Sequence, residues 1–123
     1  MKLVNIYLIE DNEDLLFTYE CLLNVNGMEV IEKALDGEEA IHKYINLIDK
    51  PDLILLDYRM PKKNGLEIMN EILKISNNAK IILISADPEI EKKALENGAK
   101  RFLKKPISGE KLINEIKIQL GTV

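Results

Sequence analysis

The chain has 123 residues and a mass of 14.1 kDa, enough for one domain with its own core. At 46% hydrophobic and 31% charged, with net charge −4, it is not a disordered chain, and its charge argues against nucleic-acid binding over the whole surface. The one cysteine, Cys21, excludes an internal disulfide and a cysteine-based zinc site. No apolar run approaches the ~18 residues of a membrane span, and no secretory signal pattern opens the chain, so a cytoplasmic protein is expected.

The predicted elements alternate. Residues 3–9 (LVNIYLI) are apolar and β-prone, and residues 13–25 carry Leu15, Leu16, Tyr19, Leu22 and Leu23 at helical spacing. Asn26-Gly27 is a break, and 28–31 reads as a short strand. Asp36-Gly-Glu-Glu39 has the form of a capping box, followed by an Ile41, Tyr44, Ile45, Ile48 stripe. After Pro51, the solid apolar run 53–56 ends at Asp57, and residues 66–75 are helical with Ile68, Met69, Ile72 and Leu73 inward. A second solid run, 81–84, ends at Ser85. Asp87-Pro88 predicts an N-cap and first helical residue, for a helix to Asn97 with Ile90, Ala94 and Leu95 to bury and Gly98 closing it. Phe102-Leu103 is a short strand ending near Lys105, and Ser108 caps a last helix with Leu112, Ile113, Ile116 and Leu120 on one side.

This order predicts an α/β domain of five βα units over residues 1–123. Unbroken apolar strands alternating with amphipathic helices imply a parallel sheet covered on both faces, doubly wound by right-handed crossovers. Ligands of such a sheet bind beyond the carboxyl ends of its strands. Four of the five strand ends carry polar side chains: Glu10-Asp11, Asp57, Ser85 and Lys105. Each alone reads as a helix cap or a loop group; together they describe a site. Three close carboxylates repel one another, and a lysine plus a hard divalent cation would offset them. All-oxygen ligands suit Mg²⁺, with Mn²⁺ as a substitute. His42, on the face of a helix, has no ligand partner nearby in sequence. A carboxylate beside a metal and a lysine can serve as a nucleophile, which suggests phosphoryl transfer to an aspartate.

LIEDNE (8–13), LILLDYRMPKKNGLE (53–67), ILISA (82–86) and RFLKKPI (101–107) resemble the receiver domain of two-component response regulators, including single-domain chemotaxis regulators. The resemblance implies a flavodoxin-like fold with strand order 2-1-3-4-5. It implies Asp57 as phosphoacceptor, Glu10, Asp11, Asp57 and the backbone carbonyl of Arg59 as Mg²⁺ ligands, and Lys105 and Ser85 as phosphoryl contacts. It also implies a cis peptide before Pro106 and a switch made of Ser85 and Phe102. Its partners would be a sensor histidine kinase or phosphotransfer protein and a downstream target on the fourth helix, fifth strand and fifth helix. Nucleic acid would not be bound by this domain, membrane insertion is not expected, and the role is regulatory rather than enzymatic.

Glu10 stands where the family more often has Asp, Ser85 where it has Thr, and Phe102 where it has Tyr. Arg59 and Asp87, each two residues past a site residue, are placed to pair over the phosphoryl group and lengthen its lifetime. Lys92, Lys93, Lys100, Arg101 and Lys104 form a basic cluster around the fourth helix and fifth strand. The second half of the chain, residues 62–123, holds 12 basic and 8 acidic side chains, against 5 and 13 in residues 1–61. Rival readings are a phosphorylation-independent interaction module, a haloacid-dehalogenase-type phosphatase and a flavin-mononucleotide protein. The phosphatase needs its nucleophile after the first strand in a D-x-D pair, where this chain has Asp11 and Glu13. The flavin reading needs a Ser/Thr/Gly-rich phosphate loop, where this chain has acidic residues.

Overall fold

The computed structural model describes residues 3–121. Five strands, β1 (Val4–Ile9), β2 (Met28–Ala34), β3 (Leu53–Asp57), β4 (Ile81–Ser85) and β5 (Arg101–Lys104), alternate with five helices. These are α1 (Glu13–Val25), α2 (Gly37–Asn46), α3 (Gly65–Ile75), α4 (Ile90–Glu96) and α5 (Gly109–Leu120). The sheet is parallel throughout, in the order β2-β1-β3-β4-β5. The expected architecture and strand order are both present.

The strand side chains alternate between two cores. Tyr7, Ile9, Ile54, Leu56, Ile81, Leu83 and Phe102 pack against α2, α3 and α4. Ile6, Leu8, Leu53, Leu55, Ile82, Ile84 and Leu103 pack against α1 and α5. β3 and β4 are buried at every residue, which is why they read as solid apolar runs rather than alternating ones. Tyr7 is wholly buried; its hydroxyl donates to the Ala40 carbonyl at 2.9 Å and its ring stacks on Tyr44.

Four helices start on a side-chain cap. Asn12, Asp36, Asn64 and Ser108 accept from the backbone N–H of Leu15, Glu39, Glu67 and Lys111. The box predicted at Asp36 is half formed, because the Glu39 carboxylate accepts from Leu35 N–H instead of Asp36. The complete box is at Asn64 and Glu67.

Three local expectations are corrected. β2 runs to Ala34, not Ile31: pairing with β1 carries Glu32 and Lys33 into the strand, across a register shift at Ile6/Tyr7. α2 ends at Asn46, so Ile48 lies past the helix and is 97% exposed, while Ile45 faces solvent and Ala40 joins Tyr44 in the core. Lys50 closes that end by donating to the carbonyls of Tyr44 and Leu47, at 2.5 and 2.9 Å. α4 starts at Ile90, not Pro88, on a Glu89 cap that makes no side-chain bond; Ala94 is its buried residue and Leu95 is exposed.

Candidate functional site

Strand order reverses between β1 and β3: the chain leaves β1 for β2 on one side, then crosses to β3 on the other. A crevice opens at such a switch point, beyond the carboxyl ends of the strands. Glu10 and Asp11 follow β1, and Asp57 ends β3, so the three carboxylates flank it. Each offers an oxygen within 4.8 Å of the others. Ser85 ends β4 and Lys105 follows β5, the Lys105 N–H bonding the Ser85 carbonyl at 2.9 Å. The Lys105–Pro106 peptide is cis, as the resemblance implied.

Glu10, Asp57 and Ser85 are the buried polar or charged residues, tyrosines aside, among the described residues. All three sit at this one edge. Burying carboxylates is costly unless they are paired. Lys105 supplies the pairing: its Nζ lies 2.8 Å from Asp57 Oδ1 and 3.3 Å from Glu10 Oε1. Glu10 Oε2 also accepts from Asn12 N–H at 3.1 Å. The longer side chain at position 10 thus bridges the lysine and the start of α1.

Burial pushes the Asp57 carboxyl up, and the Asp11 charge adds to this, against the lowering influence of the Lys105 bond and the Arg59 backbone N–H. Burial likewise raises Glu10, helped by Asp57 and opposed by Asn12 N–H and Lys105. Burial alone would lower Lys105, but its bonds and charges with Asp57 and Glu10 outweigh this and hold it raised, and so cationic. The result is an acidic notch with one fixed cation on its wall. Three carboxylates with no histidine or cysteine among them form a hard donor set, which fits Mg²⁺ and not zinc. His42 is exposed on α2, against Asn46.

The loop after Asp57 is held at two glycines. Gly65 N–H bonds the Tyr58 carbonyl at 2.7 Å, and a Cβ at Gly65 would lie 2.8 Å from the Asp57 carbonyl. Gly37 N–H bonds the Pro61 carbonyl at 3.0 Å, and a Cβ there would meet Lys63 at 2.5 Å. Arg59, on this loop, brings its backbone N–H to the Asp57 carboxylate and leaves its side chain exposed.

Ser85 Oγ accepts from Asp87 N–H at 3.1 Å, and Asp87 Oδ1 accepts from Glu89 N–H at 2.9 Å. Arg59 and Asp87 form no ion pair among the described residues. Phe102 is 7% exposed and turned into the core shared with Leu83 and Ala94. The basic cluster on α4 and β5 is exposed, and Arg101 is committed to Glu115 of α5 through two contacts of 2.7 and 3.2 Å.

One site neighbour was hidden in the sequence. Tyr19 reads there as a core residue of α1, which it is, and it also lines the tight space shared with Glu10 and Asp57. The available signal was a phenol in a stripe otherwise made of leucines.

The sequence profile of the response regulator receiver domain matches residues 6–117. The chain belongs to this family. It is 33% identical to the chemotaxis protein CheY of Thermotoga maritima over 113 residues, 90% of this chain and 92% of that one. It is 37% identical to CheY of Treponema pallidum over 97 residues, 77% of this chain and 67% of that one. Its fold superposes on a chain of the CheX–CheY–BeF3–Mg²⁺ complex from Borrelia burgdorferi with a TM-score of 0.88 and 31% identity, covering 94% of this chain and 87% of that one. The response regulator domain of Thermotoga maritima CheB gives 0.87 and 28%, covering 98% of each. The chain is therefore a receiver of the two-component and chemotaxis type, and its acidic notch suits Mg²⁺ and an aspartyl phosphate. Among the described residues, no helix is long and apolar enough to cross a membrane.

Proposed function

We propose that this chain, as one receiver domain over residues 1–123, takes a phosphoryl group onto Asp57 and passes the signal on by docking. The observation that carries this is the convergence of Glu10, Asp11 and Asp57 within 4.8 Å, with Lys105 2.8 Å from Asp57. The donor is the phosphohistidine of a sensor kinase or phosphotransfer protein, or a small acyl phosphate. As an Asp57 oxygen–phosphorus bond forms, the bond from phosphorus to its former carrier breaks. Glu10, Asp11, Asp57 and the Arg59 carbonyl hold Mg²⁺ or Mn²⁺, which when bound offsets the charge of the phosphoryl oxygens. Lys105 is already cationic beside Asp57 and binds an arriving phosphoryl oxygen without first gaining a proton. Ser85 exchanges its bond from Asp87 N–H for one to the phosphoryl group.

Movement of Ser85 frees space at the end of β4, and Phe102 and α4 reset around it. Arg59 and Asp87 flank the phosphoryl group and slow its hydrolysis. The chain is thus a phosphoacceptor and not an enzyme acting on others. The exposed lysines of α4 and β5, with α5, form the docking face for a downstream protein; the Borrelia CheY bound to CheX supports a protein target. This work takes place in the cytoplasm, without insertion into a membrane or binding of nucleic acid. The test is intact mass after incubation with Mg²⁺ and acetyl phosphate. A gain of one phosphoryl group in the wild type, lost on alkali and absent in Asp57→Ala, is expected; no gain in the wild type overturns the reading and favours a phosphorylation-independent module.

A further inference from the structure

The loop after Asp57 turns at a strained residue. Lys63 N–H bonds the Pro61 carbonyl at 2.8 Å, which closes a three-residue turn, and Lys62 at its centre has a φ of 72°. Such γ-turns are rare, and positive φ is disfavoured for any residue with a Cβ. Among the described residues, Lys62 is the non-glycine residue that adopts it. Glycine would make the same turn with less strain. What lysine has and glycine lacks is a long cationic side chain.

That side chain reaches the start of α2. Lys62 Nζ lies 3.6 Å from Asp36 Oδ2 and 3.7 Å from Glu38 Oε2. Asp36 divides its carboxylate: Oδ1 caps α2 by accepting from Glu39 N–H at 2.8 Å, and Oδ2 faces the lysine. The Glu39 N–H above all, with the Lys62 charge adding to it, holds the Asp36 carboxyl below its ordinary range, so it is ionised at neutral pH. A backbone tie runs alongside, from Gly37 N–H to the Pro61 carbonyl at 3.0 Å.

The near end of the loop belongs to the carboxylate site. Tyr58 N–H bonds the Ile84 carbonyl at 2.9 Å, and the Tyr58 carbonyl accepts from Gly65 N–H at 2.7 Å, which pins both ends of the loop. Between these pins, Arg59 N–H bonds the Asp57 carboxylate, and Pro61 and Lys62 are held by α2.

We propose that Lys62 is a positioning residue for the Asp57 site. Its ammonium ties the turn at 61–63 to the Asp36 and Glu38 carboxylates of α2. The tie steadies Arg59, whose N–H bonds Asp57 and whose carbonyl is a metal ligand in the proposed function. The strained turn keeps a lysine for the sake of this tie. The inference deepens the receiver reading and, for its metal readout, rests on it.

Lys62→Gln keeps the strained turn and removes the charge, and Lys62→Arg keeps both. Amide exchange is followed by NMR in the metal-free protein, and Mg²⁺ affinity by titration. In Lys62→Gln the Arg59 amide should exchange about threefold faster and Mg²⁺ should bind about threefold more weakly, the scale of exposed ion pairs. The Ile72 amide of α3 should be unchanged, and Lys62→Arg should restore Arg59 exchange and Mg²⁺ affinity. The sign of the metal effect is decisive, because removing a cation from a loop beside an acidic notch would by charge alone tighten Mg²⁺. Wild-type exchange at Arg59, or tighter Mg²⁺ binding, in Lys62→Gln overturns the proposal. So does an equal acceleration at Ile72, which would mark a loss of global stability. A wild type that does not bind Mg²⁺ overturns the receiver reading instead, and Arg59 exchange in the metal-free protein then decides the tie.

Discussion

Helices α3 and α4 pack on the same face of the sheet and are built to opposite standards. α3 starts on a complete capping box, runs eleven residues, and buries Gly65, Ile68, Met69 and Ile72. Its first residue lies against the backbone of Asp57 and Tyr58. α4 runs seven residues, starts on Glu89 without a side-chain cap, and buries Ala94. The difference follows what each borders. α3 and its loop hold β3 and its end residue Asp57, where under the proposed function a shift of a fraction of an ångström would spoil the geometry of the carboxylate site. α4 follows Ser85 and packs beside β5, where the proposed function puts the change of shape. Few buried apolar contacts and an uncapped start mean a low cost of local opening.

Truncating the core side of each helix tests this contrast most strongly. Ile72→Ala should cost about 3 kcal/mol, as expected for a fully buried isoleucine, and Ile90→Ala in α4 about 1 kcal/mol. Urea unfolding of both variants measures it; equal losses would erase the distinction. Next is Gly65→Ala, whose Cβ would lie 2.8 Å from Asp57 O, Tyr58 Cα and Leu83 Cδ1. Overpacking against backbone should cost about 2 kcal/mol and displace the Asp57 loop, so Mg²⁺ titration should weaken along with stability.

A smaller effect is expected at the caps. Asn64→Ala should lose about 1 kcal/mol and speed amide exchange in the first turn of α3. The amides of α4 should already exchange in the wild type by local opening, well below the global unfolding free energy, while those of Ile68–Ile72 wait for global unfolding.

The mildest test is the pH dependence of the metal-free protein. The native state holds the Asp57 carboxyl above its unfolded value near 4, so it binds more protons than the unfolded chain in that window. Its contribution to stability therefore falls as pH rises from about 4 through the raised native value. The stability difference between wild type and Asp57→Asn should move against the wild type over that range, by less than about 1 kcal/mol per pH unit. Lys105 stays charged throughout, being raised above its usual value near 10.4. A difference that does not vary with pH would show that Asp57 is not held raised.

Much of this molecule was legible before its structure. The runs 53–56 and 81–84 read as strands buried on both faces, and the helix between them carries an apolar stripe of Ile68, Met69, Ile72 and Leu73. The polar residues at the strand ends follow directly, because a parallel sheet brings all its carboxyl ends to one edge. Local pattern was a poorer guide where long-range pairing or packing decides. Glu32 and Lys33 look like a loop and are strand, since β1 supplies their ladder partners. Ile45 and Ile48 look like core and are exposed, since the helix stops before the stripe is complete. Asp87-Pro88 has the form of a helix start, yet the Asp87 carboxylate is spent on a turn to Glu89 N–H.

The order of strands and helices, the class of the sheet and the polar strand-end residues Glu10, Asp11, Asp57, Ser85 and Lys105 were legible in the sequence alone, through periodicity, caps and strand-end chemistry, while parts for Arg59 and Phe102 came only from the family resemblance. Distances and partners were decided only in the folded chain. Lys105 meets Glu10 across 95 positions, and Tyr19, a core residue of α1, also lines the space next to Glu10 and Asp57. No local rule relates such residues; only the pairing of the strands into one parallel sheet and the packing of α1 on its face bring them together.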